Sequence, residues 1–117
     1  MDDERILNDE QEEGRKVPES KLSALAVAIW RTNRRIQRAD EVPDTVRLAC
    51  EGIIDRLRDL GITWSDLIGE PYNENMRVQV VEKQGTHDLR IAECLSPAVY
   101  MDEQLIRAAE VVVLGKQ

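Results

Sequence analysis

Apolar residues recur at spacings of three and four between residues 21 and 39, where Leu22, Leu25, Ala26, Ile29 and Ile36 share one side of a helix and Asn33 interrupts the stripe. Ser20 is placed to cap this helix, and Trp30 lies beside the stripe. After a break at Asp40–Pro43, a second stripe of Val46, Ala49, Cys50, Ile53, Leu57 and Leu60 predicts another helix, capped by Asp44 and ended by Gly61. Two antiparallel helices with one-sided apolar faces cannot cover each other completely. They must pack on a sheet, on a second copy, or on both. Asn33 is either an edge position of the stripe or a polar residue that sets register in a bundle.

The period becomes two from Met76, with Met76, Val78 and Val80 on one face and Arg77, Gln79 and Val81 on the other. Between the two patterns, residues 63–69 predict a short capped turn of helix, and residues 70–73 a loop. A polar turn over 84–88 leads into a strand carrying Leu89, Ile91, Cys94 and Leu95, which Pro97 breaks. Asp102, Glu103 and Gln104 then turn the chain into a last strand ending near Leu114. Helices first and strands afterwards predict an α+β class with the two kinds of element segregated along the chain.

Charge divides the chain further. Residues 1–20 hold eight acidic and three basic side chains with no sustained apolar period, which predicts an acidic, flexible tail. The following stretch carries Lys21, Arg31, Arg34, Arg35 and Arg38 without an acid. Such a basic helix has a solvated face, receives the tail, or meets an acidic protein surface. The expected organisation is a tail at 1–20, a helical hairpin and possible dimerisation region at 21–60, and a small β-rich head at 61–117.

Composition narrows the function classes. A chain of 117 residues without Phe has room for one small core built from aliphatic side chains, so a partner or second copy is expected to add stability. A net charge of −7 argues against nonspecific nucleic-acid binding, which needs a basic surface. No apolar run reaches the roughly 20 residues of a membrane span, and the acidic opening is not a signal peptide. A cytoplasmic protein is expected. Cys50 and Cys94 lack metal-like spacing and suit core positions.

Catalytic equipment is scarce. His87 is the one histidine and falls in a polar turn, no glycine loop leads into Lys-Ser or Lys-Thr, and Asp55 and Asp59 are interleaved with Arg56 and Arg58 on a helix surface. The expectation is a protein that is not an enzyme and holds no cofactor or metal.

The stretch from Ile91 to Val113 resembles the end of GrpE, the nucleotide exchange factor of DnaK-type chaperones. Leu105, Ile106, Arg107, Ala109 and the triplet Val111, Val112, Val113 fall on matching positions. Gly61, Ile62, Gly69, Pro71 and Tyr72 follow the family pattern in outline, and Glu51, Gly52 and Ile53 repeat a Glu-Gly-Ile of its second helix. Where the family has Lys-Gly-Tyr before the last turn, this chain has Pro97, Ala98 and Val99. The resemblance is to a form without the family's long amino-terminal coiled coil. It implies a helical hairpin that joins a second copy in a four-helix bundle, followed by a sheet domain that contacts one lobe of a chaperone ATPase domain. It also implies partner contacts at Leu95, Gln104, Arg107 and Val113, with Glu51 and Gly52 on the chaperone-facing side of the second helix. The expected activity is promotion of ADP release, or, where that activity is lost, service as an adaptor that keeps the fold.

Overall fold

The computed structural model describes residues 17–117. Two helices, α1 (Glu19–Arg38) and α2 (Asp44–Asp59), precede six strands: β1 (Ile62–Ser65), β2 (Val78–Gln84), β3 (His87–Ser96), β4 (Ala98–Met101), β5 (Gln104–Arg107) and β6 (Ala109–Lys116). The α+β class is the one the patterning predicts. Most of the acidic tail, residues 1–16, lies outside the described residues, and Glu19 and Ser20 already belong to α1.

Both helices start differently from the prediction. Neither Ser20 nor Asp44 caps with its side chain; each helix follows a proline, Pro18 or Pro43, whose carbonyl accepts the first backbone bonds. The fixed φ of proline suits the approach to a helix. Glu19 and Asp44 occupy the first turns, where a carboxylate meets the positive end of the helix dipole. At the other end of α2, Gly61 takes φ +85° and donates to the carbonyl of Arg58 at 2.9 Å, stopping the helix where the sequence placed its end.

The apolar stripes are only partly covered. On α1 the buried residues are Ser23, Ala26, Val27 and Trp30, a stripe rotated from the predicted one, and Leu25 is exposed. On α2 only Cys50 and Leu57 are buried, while Val46, Ile53 and Leu60 are exposed. The cause is the sheet. Ala26, Val27, Leu57, Ile62 and Val99 form one core cluster, so the helices lean on the strands and turn the rest of their apolar sides outward. Asn33 lies inside the hairpin, where its carbonyl oxygen is 3.5 Å from the Cys50 sulfur. It joins α1 to α2.

Residues 63–69 do not form a helical turn. Ile62–Ser65 is β1, paired antiparallel with Ala98–Met101, and only then does the chain turn, with Ser65 and Asp66 accepting from the amides of Leu67 and Ile68. The capping chemistry is present but closes a loop.

One bent ribbon organises all six strands. β3 ends at Ser96 and β4 begins at Ala98, while β5 ends at Arg107 and β6 begins at Ala109. Ser96 pairs with Glu110 and Val99 with Arg107, three residues further on each strand, so the register runs unbroken across the bend at Pro97 and Ala108. The predicted last strand is therefore two strands, and the ladder is one long hairpin. On its β4 side it adds β1, giving the order β1-β4-β5; on its β6 side it adds β2, giving β2-β6-β3.

β2 runs parallel to β6 although only Gly85 and Thr86 separate it from β3. Those two residues cross the end of β6, and the Thr86 amide donates to the Lys116 carbonyl at 2.8 Å. Gly85 has φ +103°, and a Cβ there would lie 2.5 Å from the carbonyl carbon of Gly115. The crossing requires glycine. Beneath it, Ile91, Ala98, Ala109, Val111 and Val113 form a second core, closed by Met76, Val78, Val80, Leu89 and Leu105. The predicted face of Met76, Val78 and Val80 is the inward one, and a bulge after Val80 leaves Val81 exposed.

Candidate partner-binding surface

The tip of the bent ribbon, Asp102 and Glu103, is exposed. Asp102 and Glu103 have φ of 49° and 70°, the mirror-image turn conformation that matches strand twist but that side chains adopt at a cost. The Asp102 amide donates to the Gly61 carbonyl at 2.9 Å, and the fit is close enough that a Cβ on Gly61 would collide with the Asp102 carboxylate. The end of α2 thus anchors the turn, and β5 leaves from a fixed point.

Along β5, Gln104 is exposed, Leu105 packs into the second core, Ile106 packs into the first, and Arg107 is half-buried. Arg107 and Arg77 line a groove of about 520 Å³ with Val78, Gln79 and Leu105–Ala108. Among the described residues the ion pairs are Arg58 with Asp55 and Lys116 with Asp88, so neither groove arginine has a carboxylate within 4 Å. The site carries positive charge beside apolar strand residues and an open backbone edge.

No family model matches this chain, and no curated protein sequence does.

The six sequence-selected positions separate into groups. Gln104 and Arg107 sit together on β5. Leu95 is exposed on β3, where its carbonyl accepts from Arg31 at 3.4 Å. Glu51 and Gly52 are exposed on α2, which packs against β1, on the other side of β4 from β5; a Cβ on Gly52 would meet nothing within 4 Å. Val113 is a correction. It is 0% exposed in the second core, because its strand lies between two others and its inward face is packed. It cannot touch a partner. Pro97, Ala98 and Val99 are also fully buried, so the bend that replaces the family's Lys-Gly-Tyr presents no side chain of its own.

The basic side of α1 is partly structural. Arg34 donates to the Cys94 carbonyl at 3.0 Å and stacks over Trp30 with 4.9 Å to the ring centroid. Together with Arg31 it covers the outer edge of β3, and residues 69–72 cover the same edge further along through bonds to Leu89 and Ile91. Arg35 and Arg38 remain free to meet solvent or a partner. Sequence reasoning missed Arg77 as a site residue and Arg34 as an anchor, since both depend on which strand comes alongside. A run of arginines without acids was the available signal.

Both cysteines are buried and free. Burial, with Asp66 and Glu110 adding to it and the Ser96 backbone and Arg34 opposing, pushes the Cys94 thiol up to about 11. It is a packing residue, with its sulfur 3.2 Å from the Ser96 carbonyl oxygen. His87 stands at the exposed start of β3 beside Thr86, and among the described residues no three His, Cys, Asp or Glu side chains cluster as a metal site would need. No helix among them is long and apolar enough to cross a membrane.

Proposed function

We propose that the protein is a GrpE-like co-chaperone that binds the ATPase domain of a DnaK-type chaperone and promotes ADP release by stabilising the open nucleotide cleft. The observation that carries the reading is the anchored β5, which presents Gln104 and Arg107 on a sheet region that follows a helical hairpin. The resemblance selects both residues, and their common strand, with Gln104 exposed and Arg107 half-buried, supports that choice. The reading places the protein in the cytoplasm, as a binding protein with neither catalytic residues nor cofactor.

The mechanism needs only binding energy. A nucleotide held between two lobes leaves faster when a second protein prefers the open form, because the difference in affinity shifts the population toward opening. By linkage, nucleotide weakens the binding of the exchange factor by the same factor. The exposed Val46 and Ile53 on α2, Leu60 just beyond its end and Leu25 on α1 support a homodimer through the helical hairpin, since that apolar surface is otherwise left in water.

A DnaK-type ATPase loaded with fluorescent ADP tests the activity. Addition of the protein is expected to speed release at least tenfold, and Arg107→Ala to lose most of that effect. Unchanged release with every cognate chaperone would sink the proposal.

The burial of Pro97, Ala98, Val99 and Val113 favours a second reading, an adaptor with the same partner but without exchange activity. Binding of equal strength in the presence and absence of ADP would decide for the adaptor, because exchange requires discrimination between cleft states.

A further inference from the structure

Among the described residues, the bent ribbon leaves the outer edge of β5 without a strand. The β3–β4 side of the ribbon is covered, by β1 along β4 and by residues 69–72 with Arg31 and Arg34 along β3. On the β5–β6 side, β2 covers β6 only from Ala109, which pairs with Val78; beyond Ala108 the same edge continues along β5 with no strand of the described residues beside it. Met101 and Gln104 flank the two-residue turn as the hydrogen-bonded pair, so Leu105 directs its N–H and C=O to the open edge. No backbone group outside the sheet bonds to β5 among the described residues.

We infer that this edge is a docking slot for an extended, acidic segment of a partner protein, which adds as a strand beside β5 where β2 begins. Three observations choose the occupant. The unpaired edge calls for a strand, which supplies the missing backbone bonds. Arg77 and Arg107 line the groove with no carboxylate of the described residues within 4 Å, which selects Asp and Glu side chains. The slot runs only along Gln104–Arg107, so about four residues of the partner, roughly 13 Å of extended chain, fill it. Apolar residues between the acids suit it as well, because Leu105, Ile106 and Val78 contribute to the walls. This inference does not depend on the partner being a chaperone ATPase.

The test uses the full chain, labelled with ¹⁵N, and a capped hexapeptide alternating glutamate with valine. Two control peptides carry lysine for glutamate, or N-methyl groups on alternate backbone nitrogens. The glutamate peptide is expected to bind by calorimetry and to slow amide hydrogen exchange at Leu105 at least tenfold. Both controls should bind at least tenfold more weakly, and the Arg77→Ala, Arg107→Ala double variant should lose at least fivefold. Binding that survives N-methylation, equal binding of the lysine peptide, or unchanged exchange at Leu105 overturns the slot. So does a Leu105 amide already protected in the free protein in a concentration-dependent way, which assigns the edge to a second copy. The peptide controls need no variant to fold. Because no ATPase is present, failure here is separate from failure of the exchange reading.

Discussion

Cys94 shows how a single buried group ties packing to pH. In the unfolded chain its thiol titrates at 9.0, in the fold at about 11, so the folded state holds the proton more tightly between these values. Stability contributed by this group is complete below pH 9 and is lost as pH rises toward 11. The loss is expected to reach roughly 2 kcal/mol, measurable as a falling urea midpoint between pH 8.5 and 10.5 that Cys94→Ala removes. The same burial should keep the native thiol unreactive toward thiol reagents at pH 8. Two glycines make a contrasting pair. Gly85→Ala meets both a positive φ and the Gly115 backbone, and should cost about 1–3 kcal/mol in thermal unfolding. Gly52→Ala sits in an exposed helix with open space around it, and should stabilise by about 0.5–1 kcal/mol. From sequence Gly85 belongs to a polar turn and Gly52 to the second helix, but neither position shows what lies against the missing Cβ, which is a tertiary fact.

Among the elements, α1 does more than cover a sheet. Its buried side packs on β1, β4 and β5 through Ala26 and Val27, with Leu22 and Ile29 beside them, while Arg34 stacks on Trp30 and reaches the carbonyl edge of β3. Arg34→Ala removes a charge-assisted hydrogen bond and the stacking on Trp30. It should lower stability by about 1–2 kcal/mol in urea unfolding, and Arg35→Ala, without such contacts, should change it by less than about 0.5 kcal/mol. The helices were legible in outline because Leu22, Ala26, Ile29, Cys50 and Leu57 keep a helical period. Their orientation was not. An apolar period says that one side is shielded, and Leu25, Ile53 and Leu60 belong to that period while facing water in the single chain.

For the whole molecule, the decisive question is what covers those stripes. With Leu60 66% exposed and Ile53 50% exposed, a second copy has apolar surface to bury. Light scattering on a dilution series should give a dimer for the native chain. The Ile53→Glu, Leu60→Glu double variant should give a monomer with unchanged near-ultraviolet signal from Trp30 and Trp64, since neither residue belongs to the core clusters. A native chain that stays monomeric at all concentrations would remove the hairpin dimer.

Local chemistry decided where the chain bends: the helix end at Gly61, the turns at Gly85–Thr86 and Asp102–Glu103, the break at Pro97, and the alternation of Met76, Val78 and Val80 can each be read from a few neighbouring residues. Even the terminal motif divided along this line. Its strand pattern was legible in sequence, whereas the burial of Val113 was not. Tertiary structure alone decided that Ile62–Ser65 pairs as a strand, that β2 lies parallel to β6 by crossing over its end, that the last hairpin continues through the bend, and that β5 keeps an open edge. Those outcomes depend on pairing between residues far apart in the chain. Periodicity carries no information about which distant strand supplies the other half of a ladder.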